Sequence, residues 1–202
     1  MEHNSLIDKF GRKHDYLRIA LTDACNLRCV YCMPNEKIQV TPSAKLMQVD
    51  EILDIARTFV SLGVKKIRLT GGEPLLRKDS KQIIEGLAKL SVKLSISTNA
   101  VLVDRYIETL QKAKVNLLNI SLDTLNPEEF LSLTKRNDFE KIMSNIQLLL
   151  KHNFKLKINI VVMKGVNENV VLDFVKWTKD KPVDVRFIEF MPFQGNSWKK
   201  GQ

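Results

Sequence analysis

Short runs that alternate apolar and polar side chains recur along this chain, and longer runs with apolar residues three and four apart separate them. Tyr16 to Thr22 alternates and is rich in β-formers, so it reads as a first strand. A polar connection from Met33 to Gln48, with Pro34 and Pro42, shows no period. Val49 to Leu62 predicts a helix with Ile52, Ile55, Phe59 and Leu62 on one face and Gly63 as its stop. Lys66 to Thr70 reads as a second strand running into Gly71-Gly72-Glu73-Pro74, and Asp79 is placed to cap a helix with Ile83, Leu87 and Leu90 inward. A third strand over Val92 to Ser97 ends at Thr98-Asn99. A helix over about Val103 to Ala113 then leads to a fourth strand, Val115 to Leu122. Asn126-Pro127 reads as an N-cap with proline at the first helical position. Phe139 to Lys151 predicts a helix with Ile142, Ile146 and Leu149 inward. Leu156 to Val162 follows as a strand, Glu168 to Thr178 as a helix and Val183 to Phe190 as a sixth strand.

Strand and helix alternate throughout, which places the chain in the α/β class with a parallel sheet and right-handed helical crossovers. Six strands fit an open curved sheet or an incomplete (β/α)6 barrel, and spacing does not choose between them. In either form the loops after the strands gather at one edge. The unusual residues fall there: Cys25 to Cys32, Gly71 to Pro74, Ser97 to Asn99, Ser121 with Asp123, and Met191-Pro192.

Composition narrows the class. The 202 residues, 44% hydrophobic and 27% charged, suit a single domain over 1–202 with a proper core. No apolar run is long enough to span a membrane, and Met1 to Lys13 lacks a signal-peptide core, so no membrane partner is expected. The three cysteines are odd in number and share one loop, which excludes a disulfide framework and fits a reducing compartment. A net charge of +9 invites nucleic acid, yet the 32 Lys and Arg are spread without a basic tract. They read as solvated helix faces, with a bias toward an anionic small substrate and no nucleic-acid partner.

The candidate chemistry centres on Cys25-Asn26-Leu27-Arg28-Cys29-Val30-Tyr31-Cys32. Three thiols at i, i+4 and i+7 can converge and are one ligand short of a closed zinc or iron–sulfur site. Structural cysteines and an open zinc site are the alternatives on spacing alone. The pattern C-x3-C-x2-C, with Tyr31 before the last cysteine, resembles the signature of the radical S-adenosylmethionine (SAM) superfamily. That resemblance implies one [4Fe–4S] cluster on Cys25, Cys29 and Cys32, with the fourth iron chelating SAM, and it selects the incomplete six-stranded barrel. Gly71-Gly72-Glu73-Pro74 can bring backbone close to a ligand or simply form a strand-to-helix turn. By resemblance, Gly72 and Glu73 meet the SAM amino group and Tyr31 belongs to the SAM site. Ser121 is its SAM-binding serine, Asn159 meets its carboxylate, and Met191 packs on its adenine or is ordinary core.

Further runs sharpen the resemblance: Phe10-Gly11-Arg12, Leu17-Arg18-Ile19, Thr22-Asp23, Cys32-Met33-Pro34, Lys66 to Leu75, Ser121-Leu122-Asp123, and Arg186 to Phe193. Together, over about residues 9–198, they resemble the GTP 3′,8-cyclase family of molybdenum cofactor biosynthesis. This implies a lyase in which a 5′-deoxyadenosyl radical starts conversion of GTP to the cyclic pyranopterin precursor. It implies GTP contacts at Arg18, Arg68, Ser97, Lys157 and Arg186, and no catalytic side chain beyond the cluster and SAM site. Guanidinium and ammonium groups suit a triphosphate. The family's C-terminal region, with a second three-cysteine set and a Gly-Gly tail, has no counterpart after Cys32. Ser97 replaces a threonine, and Ala100 replaces a glycine. The expectation is therefore an N-terminal core that binds a cluster and SAM, does not complete GTP cyclisation alone, and exposes apolar surface. A regulatory or partner isoform, or a radical SAM enzyme with another substrate, are the competing readings. The resemblance also implies an electron donor, leaves room for a homodimer, and places the chain in the cytoplasm, or in the mitochondrial matrix of a eukaryote.

Overall fold

A computed structural model describes residues 6–33 and 39–191. Pro34 and the segment from Pro192 onward, both used in the family resemblance, lie outside the described residues. Six strands alternate with helices: β1 (Tyr16–Ala20), α1 (Val49–Ser61), β2 (Lys66–Thr70), α2 (Ser80–Ala88), β3 (Lys93–Thr98), α3 (Ile107–Lys112), β4 (Leu117–Ser121), α4 (Pro127–Thr134), α5 (Phe139–Lys151), β5 (Lys155–Val162), α6 (Val170–Thr178) and β6 (Val183–Glu189). The strands form one parallel sheet in sequential order, from β1 to β6. A doubly wound sheet reverses its order at a switch point and carries helices on both faces. Here the order never reverses, so right-handed crossovers place every helix on one side. No pairing between β1 and β6 occurs among the described residues, which leaves the incomplete barrel.

The two sheet faces differ in chemistry. Ile67, Ile96, Ile120 and Ile158, one from each central strand, are fully buried against the helical layer. One residue away on the same strands, Arg68, Ser97, Asn119 and Lys157 face the lumen. Period-two alternation thus separates an apolar outer face from a polar inner one.

Helix details follow local chemistry. The Asn126 side chain accepts from the amides of Glu128 and Glu129 at 2.9 and 3.0 Å, with Pro127 at the first helical position. Asp79 occupies the N-cap position of α2 without capping it, because its carboxylate takes the Arg77 guanidinium at 2.5 and 2.8 Å. In α1 the buried stripe is Ile52 and Ala56, while Ile55 is 38% exposed. Ile55 alone departs from the expected face, since Ile52 is buried and Phe59 packs against the core, while Ile55 lies at the edge of that stripe on the side away from Ala56. The segment expected as one helix after β3 opens as a 3-10 turn over Val103–Tyr106 before α3 begins.

Beyond β5 the cover thins. Leu172 and Val175 of α6 and Phe187 and Ile188 of β6 are exposed, as expected of an uncovered barrel edge. Phe174 holds α6 down, being fully buried with its ring edge-on to Trp177 at 6.1 Å. Phe174→Ala should cost about 3–5 kcal/mol and lower the melting temperature by roughly 10 °C. A melting temperature within 2 °C of wild type, taking ~2 °C as scatter, would show that α6 is not part of the cooperative unit.

Candidate functional site

The loops after β1, β2 and β3 are bound into one assembly at the C-terminal edge of the sheet. The Gly72 amide donates to the Thr22 carbonyl at 2.6 Å, and the Glu73 amide donates to that of Ala24 at 2.8 Å. Both glycines are required by this approach. A Cβ on Gly71, whose φ is +141°, would strike the Thr22 carbonyl oxygen, and one on Gly72 would strike that of Ala24. Glu73 itself has no exposed surface. Its carboxylate accepts from the Leu75 amide at 3.0 Å, the Thr98 hydroxyl at 2.9 Å and the Asn99 amide at 2.7 Å. Burial raises its pKa to about 6, and those three donors oppose the rise. Glu73, expected at the SAM amino group, has its oxygens engaged inside the fold, where they join the β2 loop to the end of β3.

The cysteine loop is seated by its backbone and by side chains other than the thiols. Leu27 is buried, and the amides of Arg28 and Val30 donate to the carbonyls of Thr134 and Leu133 at 2.9 Å. The Arg28 guanidinium donates to the carbonyls of Cys25 and Leu27. The Cys32 and Met33 amides turn back onto the Cys29 carbonyl at 3.0 and 2.8 Å. Tyr31 donates its hydroxyl to Asp123 at 2.6 Å and sets its ring edge-on to Phe190. Asp123 also accepts from the Val161 amide at 2.8 Å. Asn99 donates to Asn26 at 2.7 Å and reaches the Cys25 sulfur at 3.7 Å.

Cys25 and Cys29 are partly buried and Cys32 is exposed. Burial pushes the Cys29 thiol up to about 12, with Asp123 and the other two cysteines adding to the rise. Cys25 and Cys32 shift upward for the same first reason, with Glu73 and Cys32 acting on Cys25 and Asp123 acting on Cys32. Three sulfurs beside two buried carboxylates make a site that favours positive charge. Among the described residues no three His, Cys, Asp or Glu side chains gather on a single ion. An iron–sulfur cluster takes cysteine thiolates as its ligands, so the donor chemistry of the loop fits that group.

The lumen below carries the other expected residues. Arg18, Arg68, Ser97, Lys157 and Arg186 all fall on inward strand positions. Arg18 and Arg68 are in register across β1 and β2, with guanidinium carbons 5.7 and 5.3 Å from the Tyr16 ring. Burial lowers the Arg68 pKa, Tyr16 opposes that, and the charges of Arg18 and Arg186 lower it further. Lys157 lies 3.7 Å from Asp184, its cross-strand neighbour. Ser121 is exposed at the end of β4, in register with Asn159. Met191 is 66% exposed past β6, which sets aside the core alternative. The Arg68 Nε, the Asn159 Oδ1 and the Asn119 Oδ1 are buried without a hydrogen-bond partner. A donor and two acceptors left open along one lumen suit a polar ligand.

The sequence reading placed Thr98 and Asp123 at this edge without giving them a role, and it missed Asn167. Asn167 donates to the carbonyls of Asp123 and Val161 and accepts from the Met163 amide. Its signal was an asparagine two residues after a glycine, which reads only as a turn.

Residues 19–178 match the family described as the radical SAM superfamily, so the chain belongs to that superfamily. It is 50% identical over 196 residues to molybdenum cofactor biosynthesis protein 1 of Dictyostelium discoideum, covering 96% of this chain and 31% of that protein. It is 48% identical to the mitochondrial GTP 3′,8-cyclase of Arabidopsis thaliana, covering 96% and 50% respectively. The chain therefore spans a third to a half of the length of these two relatives. Streptococcus suis SuiB shares the fold with a TM-score of 0.77 at 21% identity, over 93% of this chain and 42% of that one.

The Glu73 pKa predicts a signed pH effect. Its folded value, about 6, lies above the ordinary 4.5, so its contribution is full below pH 4.5 and is lost as pH rises through 6. Over that window the wild type should lose about 2 kcal/mol relative to Glu73→Gln. Chemical unfolding of both proteins at several pH values measures this, and parallel curves would contradict it.

Proposed function

We propose that this chain is the SAM-cleaving core of a GTP 3′,8-cyclase, a radical SAM lyase of molybdenum cofactor biosynthesis. The observation that carries it is the alignment of two sites along one lumen. The cysteine loop crowns the lumen, and Arg18, Arg68, Lys157 and Arg186 line it below. The names of the Dictyostelium and Arabidopsis relatives support the same reading.

Cys25, Cys29 and Cys32 would hold a [4Fe–4S] cluster, with Gly72, Glu73, Tyr31, Ser121, Asn159 and Met191 around SAM. When bound, the cluster would supply an electron for the reductive cleavage of SAM, the chemistry that starts the proposed reaction on GTP. The chain's own residues then have three tasks. The glycine clasp lets the loops after β1 and β2 meet at backbone distance. Tyr31, held by Asp123, fixes the loop bearing the cysteines. Arg18, Arg68 and Arg186 place cations where a triphosphate would lie, with Ser97 and Lys157 beside them on β3 and β5. Charge-assisted bonds of this kind are each worth about 1.5–3 kcal/mol. An electron donor is a required partner. No helix among the described residues is long and apolar enough to cross a membrane. The compartment proposed is the cytoplasm in a bacterium and the mitochondrial matrix in a eukaryote, consistent with the name of the Arabidopsis relative.

Anaerobic reconstitution should give about four irons per chain, an EPR signal that SAM alters, and slow release of 5′-deoxyadenosine. Cys29→Ala should abolish assembly. Arg68→Ala should weaken GTP binding by at least about tenfold and leave SAM affinity unchanged. Cyclic pyranopterin should form only when the C-terminal part of the relatives is supplied. Stoichiometric zinc, or equal GTP affinity in Arg68→Ala, would sink the reading.

A further inference from the structure

The opposite edge of the sheet, where the strands begin, holds a cavity of about 1300 Å³. Its lining includes Lys65, Lys66, Arg68, Lys93, Lys114 and Lys155, and its one acidic residue is Asp15. The five lysines are exposed, and none takes part in an ion pair among the described residues. Several basic residues on helices are paired instead: Arg57 with Asp54, Lys112 with Glu108, Lys141 with Asp104 and Lys176 with Asp173. The basic surplus read from the sequence as solvated helix faces is thus partly concentrated at the strand starts.

This grouping works against the fold. Lys66 and Lys93 stand opposite one another in register on β2 and β3, and the Lys93 amide donates to the Lys65 carbonyl at 2.9 Å. Like charges directly opposite across strands are destabilising. Lys155 sits in register with Leu117, another lining residue, at the start of the β4–β5 ladder. An anion in the cavity relieves the repulsion, and concave walls focus the field on it. Tyr16 and Arg68 line this cavity, and Arg68 also lies on the lumen face of β2 with its buried Nε lacking a hydrogen-bond partner.

We propose that this basin is an outer capture site for the polyphosphate chain of a nucleotide, through which the anionic substrate reaches the lumen from the side opposite the cysteine loop. The proposal rests on the reading of the substrate as a nucleoside triphosphate. Lys93, Lys114 and Lys155 form the outer station, and Arg18 and Arg68 the inner one. Captured phosphates move from the first to the second without leaving a cationic surface.

The test uses this chain without cluster and the triple variant Lys93→Gln, Lys114→Gln, Lys155→Gln, which keeps polar, slightly shorter side chains and removes three exposed charges. Calorimetry with inorganic tripolyphosphate should show about tenfold weaker binding in the variant and a shallower dependence on salt. Stopped-flow mixing with a fluorescent GTP analogue should show about tenfold slower association, with a melting temperature no lower than that of the wild type because like-charge repulsion is relieved. Equal tripolyphosphate affinity and equal salt dependence in the two proteins would overturn the capture site. If that happened while Arg68→Ala still weakened GTP, the substrate reading would stand alone. If tripolyphosphate binding needed the lysines but GTP bound no tighter than tripolyphosphate, the basin would be upheld and the choice of GTP would fall.

Discussion

A single carboxylate sealed from solvent holds the working edge of this protein together. Glu73 brings three donors from two loops onto its two oxygens, and its own amide reaches back to Ala24. Burying a charge is costly unless hydrogen bonds replace its water. Here three hydrogen bonds offset part of that cost, and both the Leu75 and Asn99 donors are main-chain amides, fixed in direction by the turns that carry them. The result is geometric. With Glu73 in place the β1, β2 and β3 loops cannot move independently, and Asn99, placed by the same contact, touches both Asn26 and Cys25.

The second tie runs from the other side of the cysteine loop. Tyr31 reaches Asp123 at the end of β4, and Asp123 in turn takes the Val161 amide from β5. Asn167 closes this circuit by donating to the Asp123 carbonyl and the Val161 carbonyl. The cysteine loop is therefore suspended between two polar braces, Glu73 through β2 and β3 and Asp123 through β4 and β5. Apart from the Asn99 contact to the Cys25 sulfur, neither brace uses the sulfurs, which leaves the thiols as donors for a metal group.

Most of the fold was legible because two periods carry it. Strands with an Ile or Leu on one side and Arg, Ser or Lys on the other announce both their extent and their orientation, and β2 and α5 match their expected limits. The cysteine spacing, the glycine pair and the inward bases were legible as residue types at the ends or inner faces of strands. What escaped was pairing. Nothing local says that Glu73 faces Thr98 rather than a ligand, or that Asp79 prefers Arg77 to its own helix. Such choices are settled by groups distant in sequence or by competition among neighbours. Ile55 failed for a simpler reason: a small residue, Ala56, carried the buried stripe that a larger one was expected to hold.

The separation of the sheet into an apolar face and a polar face has an energetic consequence. Nearly all the fully buried volume lies between strands and helices, in residues such as Ile67, Leu87, Ile96 and Leu118. The lumen contributes little apolar burial and instead leaves Arg68, Asn119 and Asn159 with unmet hydrogen-bonding atoms. Each such atom costs about 1–3 kcal/mol when no partner is available. The outer layer therefore supplies the stability that the inner layer spends. A ligand that meets those atoms binds the folded chain and not the unfolded one, so occupancy of the lumen adds to stability by mass action. The same logic explains why the lumen can be so densely cationic. Its charges sit on strands whose other side is already fixed by packing, so apolar burial on the outer face offsets the repulsion among them.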